Sequence, residues 1–99
     1  MARDGVMLFA EDVTGTTNTD AQDNPRTQWL LFIIAGSPAG TYTLQFYSPA
    51  QADWVDLFEL TEFATTLLCP AGQLRLKVAG ESSTTSVEVA APVMLPSPA

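Results

Sequence analysis

The residues able to do chemistry are mostly oxygen acids. The chain carries 11 Asp and Glu against 4 Lys and Arg, and no histidine. Without imidazole there is no Ser-His or Cys-His nucleophile pair, no histidine general base and no nitrogen ligand for zinc. Glu11, Asp12, Asn18, Asp20, Asp23 and Asn24 lie close together in sequence and are the hard ligands that Ca²⁺ gathers about six to eight at a time. Their spacing lacks the D-x-D-x-D-G order of a calcium loop, so they read as a solvated acidic segment that favours solubility. Asp53, Asp56, Glu59 and Glu62 offer carboxylates for the acid and base of a glycosidase; the competing reading makes them the outward residues of one strand. Trp29, Tyr42, Tyr47 and Trp54 are side chains that stack on sugar rings, yet alternation puts Tyr42 and Tyr47 on opposite faces. Core packing is therefore expected for them, with Trp54 the exception. Cys69, the single cysteine, has no internal disulfide partner. In the run Leu67-Leu68-Cys69 it reads as a small buried hydrophobe with no basic cluster beside it to lower its pKa. The expectation is a protein that is not an enzyme and needs no cofactor or metal.

What must position these residues is a sheet. Ninety-nine residues make one domain with one core. Gln73-Leu-Arg-Leu-Lys-Val78 alternates with period two, placing Leu74, Leu76 and Val78 on one face. Thr41 to Phe46 does the same with Tyr42, Leu44 and Phe46, and Thr84 to Val89 with Val87 and Val89. Trp29-Leu-Leu-Phe-Ile-Ile-Ala35 is apolar throughout and fits a central strand, or one whose outer face meets a partner. We expect Trp29, Leu31 and Ile33 to join the core with Leu44, Phe46, Leu74, Leu76, Val78, Val87 and Val89. Leu30, Phe32 and Ile34 would then point outward and need cover from an interface. Residues 53–63 carry apolar residues near helical spacing, but threonines and aromatics favour a strand there. Glycine and proline clusters at residues 36–40, 48–51, 70–72 and 80–83 mark turns too short for helical crossovers. The fold class is all-β, a single antiparallel β-sandwich, Ig-like or jelly-roll-like.

The ends differ from the middle. Residues 14–26 hold no large apolar side chain and read as a polar loop. Residues 92–99 have repeated prolines and read as an extended tail, in which Val93, Met94 and Leu95 are apolar enough to dock on a partner. A net charge of −7 argues against nucleic acid. The apolar run from Val6 to Ala10 is shorter than a signal or membrane segment needs.

The segments Thr41-Tyr-Thr-Leu-Gln-Phe-Tyr-Ser-Pro through Trp54-Val-Asp, Pro70-Ala-Gly-Gln-Leu-Arg-Leu, and Thr85-Ser-Val-Glu-Val89 resemble small β-sandwich virion proteins of tailed bacteriophages. The resemblance covers about half the chain, and Ala50-Gln51-Ala52 replaces the usual glycine-rich turn. It implies a capsid decoration or cement protein, built into the virion in the host bacterial cytoplasm. It would bind the major capsid protein or another virion protein, and form a homo-oligomer, by resemblance a trimer. The alternative is a carbohydrate- or host-surface-binding module of a head or tail fibre.

Overall fold

The computed structural model describes residues 6–36, 38–60 and 64–90. Seven antiparallel strands fill most of them: β1 (Val6–Asn18), β2 (Gln22–Asn24), β3 (Gln28–Ala35), β4 (Thr41–Ser48), β5 (Asp53–Leu60), β6 (Ala64–Cys69) and β7 (Gly72–Ala90). There is no helix among the described residues. The strand reading of residues 53–63 holds over residues 53–60, so the carboxylates of β5 stand on a strand, and residues 61–63 lie outside the described residues.

The sheet is organised by its longest strand. β7 runs for 19 residues, and its two ends have different neighbours. Its first part pairs with β4, which pairs with β5, in the order β5-β4-β7. Its last part pairs with β3, which pairs with β6. β1 and β2 line the opposite side of β7. The sheet therefore curls into two halves, β5-β4-β7 and β7-β3-β6, that close over one core. That core holds Phe9, Val13, Leu30, Phe32, Ile34, Tyr42, Leu44, Leu60, Cys69, Leu74, Leu76, Val78 and Val87. This is the expected antiparallel sandwich.

Three expectations are corrected. The parity of β3 is the reverse of the one read from sequence: Leu30, Phe32 and Ile34 are buried, while Trp29 is exposed and Leu31 and Ile33 are half-buried. A run that is apolar throughout has no parity of its own, so its neighbours set it. Here Phe32 lies opposite Val89 and Ile34 opposite Val87, and the inward valines turn the even-numbered residues inward. Second, residues 14–18 and 22–24 are strands rather than loop. Threonines in and beside them serve the ladder: Gly80 N–H donates to Thr16 Oγ1 at 3.1 Å, and Leu76 N–H to Oγ1 of Thr19, just past the end of β1, at 2.9 Å. Third, residues 80–83 do not end a strand; β7 continues through them as a bend.

That bend joins the halves, and two glycines allow it. Gly80 sits at φ +68, where a side chain would be strained. A Cβ on Gly40 would lie 2.6 Å from the Ala79 carbonyl oxygen and 2.9 Å from Glu81 Cα, so the β3–β4 connection can pass only as glycine. Beside it the buried Glu81 carboxylate accepts from Ala39 N–H, Gly40 N–H, Ser83 N–H, Ser83 Oγ and, at 2.5 Å, the Tyr42 hydroxyl. The Tyr42 oxygen also lies 2.6 Å from Thr85 Oγ1. A buried charge needs such a set of donors, since an unpaired one costs several kcal/mol.

Candidate functional site

The two halves present different outer faces. On β5-β4-β7, opposed residues form polar rows: Glu59, Thr43 and Lys77 in one, Asp56, Gln45 and Arg75 in the next. Arg75 Nε–H donates to Gln45 Oε1 at 2.8 Å, and Gln45 Nε2 donates to Asp56 Oδ1 at 2.7 Å. The guanidinium lies 4.2 Å from the centre of the Trp54 ring. Tyr47, opposite Trp54, meets it edge-on at 5.4 Å between ring centres. The half-buried Trp54 and Tyr47 thus belong to one hydrogen-bonded and stacked patch, with the ring and the cation attracting each other. A shift of register at Leu44–Gln45 bulges β5 at this point and brings Asp56 opposite Gln45.

On β7-β3-β6 the outer face is apolar. Trp29 stands opposite Leu68, and they are 44% and 47% exposed. The next rows hold Thr66, Leu31 and Ala90, then Ala64, Ile33 and Glu88. Glu88 is the one charged residue on this face among the described residues of the three strands. The cause is the reversed parity of β3: the residues expected in the core, Trp29, Leu31 and Ile33, are the outward ones. The expected interface residues Leu30, Phe32 and Ile34 lie in the domain's own core and offer no surface. Val93, Met94 and Leu95 fall outside the described residues.

The other candidates take simpler places. Glu11, Asp12, Asn18 and Asp20 line an open pocket of about 380 Å³ together with Leu8, Thr17 and others. No group of three or more metal-ligating side chains forms among the described residues. Asn24 is buried and committed: its Nδ2 donates to the Pro70 carbonyl at 2.8 Å, and its Oδ1 accepts from Gln28 Nε2 at 2.7 Å. On β5, Asp53 Oδ1 accepts from Trp54 N–H at 2.8 Å and Asp56 is held by Gln45, while Glu62 is outside the described residues. Tyr42 is a core residue whose phenol is pushed up to about 12, first by burial and then by its bond to Glu81. Glu81 is held down at about 2, chiefly by the Tyr42 hydroxyl, against burial and with help from the N–H groups of Ser83, Ala39 and Gly40. Cys69 is fully buried and free, and burial pushes its thiol up to about 11.

Neither outer face was readable as such from sequence. Arg75 and Gln45 are 30 positions apart, and Gln45 and Asp56 11 apart. Only the β4–β5 and β4–β7 registers bring them together. Compared with protein-family models, with curated proteins and with solved structures, the chain matches none, so the likeness to phage virion sandwiches rests on the quoted segments alone.

Proposed function

We propose that this chain is a structural protein of a bacteriophage particle, a capsid decoration subunit that acts without catalysis, cofactor or nucleic acid by seating on shell protein and on copies of itself. The observation that supports it is the apolar outer face of β7-β3-β6. Trp29, Leu68, Leu31 and Ile33 form a contiguous surface with a single charge, and monomeric proteins seldom leave such a patch uncovered. Tryptophan is also among the side chains that most often carry binding energy between proteins. Each seated subunit then adds buried area that must be lost before a shell can open.

Incubating purified capsids with the protein and weighing the bound fraction by cryo-electron microscopy tests this. Wild type should occupy the shell, and Trp29→Ala should lose at least tenfold in affinity while keeping its β-sheet circular dichroism. Absence of wild-type binding, or full binding by Trp29→Ala, would remove the reading.

A second reading, a carbohydrate- or host-surface-binding module, is favoured by the Trp54–Tyr47–Arg75 patch. Glycan binding abolished by Trp54→Ala and untouched by Trp29→Ala would move the assignment there.

A further inference from the structure

The apolar outer face reaches one strand beyond β7-β3-β6. Leu8 on β1 lies opposite Glu88 on β7, Glu88 opposite Ile33 on β3, and Ile33 opposite Ala64 on β6. Residues opposite each other in an antiparallel pair share a face, so these four make one row across four strands. Leu8 is 51% exposed, and the exposed Glu88 stands between it and the half-buried Ile33. Four residues back along β3, about 13 Å at the rise of a strand, Trp29 and Leu68 form another row. The face therefore has two unlike ends, one wholly apolar and one where a carboxylate stands among apolar side chains. The Glu88 end is also the more acidic. β1 bulges between Ala10 and Val13, which lie opposite Val87 and Thr85, and the two residues between them are the exposed Glu11 and Asp12.

We propose that this face takes a shell-protein surface that presents a Lys or Arg to Glu88, about 13 Å from the apolar seat of Trp29, so that the tryptophan holds the subunit and the ion pair fixes its orientation. This rests on the particle reading and names the partner chemistry of the same face.

The charges decide what can sit here. Covering the face takes Glu88 out of water, and a buried carboxylate without a partner is costly. The Glu88 carboxylate has no hydrogen bond or ion pair among the described residues. Of the chain's four basic residues, Arg75 and Lys77 lie on the outer face of the other half, Arg26 stands between β2 and β3, and Arg3 lies outside the described residues. A second copy would bring the same Glu88 to this face and a net charge of −7. Residues 92–99 hold no basic side chain, and an anionic membrane repels so acidic a chain. A basic protein surface supplies what these lack, and opposite charge across an interface speeds encounter and sets register. The competing role for Glu88 is to keep an apolar face from sticking to others. The two roles differ in sign, since removing the charge weakens docking in the first and leaves or strengthens it in the second.

Capsid binding measured over a range of salt concentrations tests this. Wild type should bind and Trp29→Ala should lose at least tenfold. Glu88→Gln should also lose at least tenfold, and with it part of the salt dependence of wild type, while Glu88→Asp stays within threefold. Glu59→Gln, exposed on the polar half, should bind as wild type does. Should Glu88→Gln fail to fold, Glu88→Thr, a residue that favours strands, takes its place. Capsids that bind wild type and reject Trp29→Ala, yet take Glu88→Gln as well as wild type or better, overturn the ion pair and leave the particle reading standing; the carboxylate then serves solubility or the chain's own Arg3. Wild type that does not bind at all overturns both. Two further results overturn the proposal by naming another occupant. A wild-type dimer in sedimentation equilibrium that Trp29→Ala abolishes puts a second copy on the face, and a rise in acrylamide quenching of Trp29 on deleting Pro92 to Ala99 puts the chain's own tail there.

Discussion

The two halves of this sheet share a core and a central strand, yet they treat water in opposite ways. The β5-β4-β7 half carries on its outer face two polar rows, with the buried Gln45 held between Asp56 and Arg75, a stacked Arg75–Trp54 pair and a strand β5 with three carboxylates. Its one large exposed hydrophobe, Phe58, follows Leu57 and precedes Glu59 on that strand. The β7-β3-β6 half faces solvent with Trp29, Leu68, Leu31 and Ile33, and its strand β6 carries no charged residue. Both halves obey the same inner pattern, so folding alone does not require the difference. The polar rows suit a face that stays in water, and the apolar face is the one that the proposed contacts would cover.

The largest effect expected separates inner from outer residues on β3. Phe32 is fully buried and meets Phe9 edge-to-face at 5.4 Å. Phe32→Ala should cost about 3–5 kcal/mol in urea unfolding, whereas its neighbour Ile33→Ala, on the outer face, should cost about 1 kcal/mol. Similar losses at both positions would mean that the outer face of this half is already part of a core.

The junction between the halves comes next. Glu81→Gln removes the charge that five donors converge on, and its Tm should fall by several degrees. The pH dependence has a defined sign. A carboxyl depressed to about 2 from 4.5 contributes stability above pH 4.5 that is lost as pH falls from 4.5 through about 2. Wild type should lose stability over that window, and Glu81→Gln should lose less there. At the alkaline end, a Tyr42 phenol raised from 10.0 to about 12 contributes stability below pH 10 that is lost as pH rises toward 12. Parallel acid titrations of wild type and variant would show that the bend is held by something other than this carboxylate.

A smaller effect is expected on the polar half. Arg75 is half-exposed, so Arg75→Ala should cost about 0.5–1 kcal/mol, the worth of a surface cation–π contact. A loss of several kcal/mol would make that patch structural rather than solvent-facing. Smallest of all is the response of Cys69. With a buried thiol raised to about 11, the folded protein should react with a thiol reagent only at the rate at which it opens, and Cys69→Ala should retain the fold.

How much of this could be read in the sequence depends on whether polarity alternated. β4 and the first part of β7 were legible because threonine, glutamine, arginine and lysine mark their outer positions. β3 offered no such mark, and its orientation came from Val87 and Val89, more than 50 residues away along the chain. Residues 14–18 looked like loop because a strand signal needs apolar side chains, yet a strand against β7 can be held by main chain and threonine hydroxyls. The bend at Gly80 looked like a turn because glycine with serine gives the same local signal whether the chain reverses or only kinks. The Trp54 patch was half legible: its aromatics stood out, while the Arg75 and Gln45 that hold them depended on register.

Each half holds one of the two tryptophans, Trp29 and Trp54, and this allows the central claim to be measured directly. Acrylamide quenching of the single-tryptophan variants Trp54→Phe and Trp29→Phe, with and without purified capsids, reports which face becomes covered. The account predicts that capsids shield Trp29 at least threefold and leave Trp54 unchanged. Shielding of Trp54 with Trp29 still open, or no shielding of either, would contradict it.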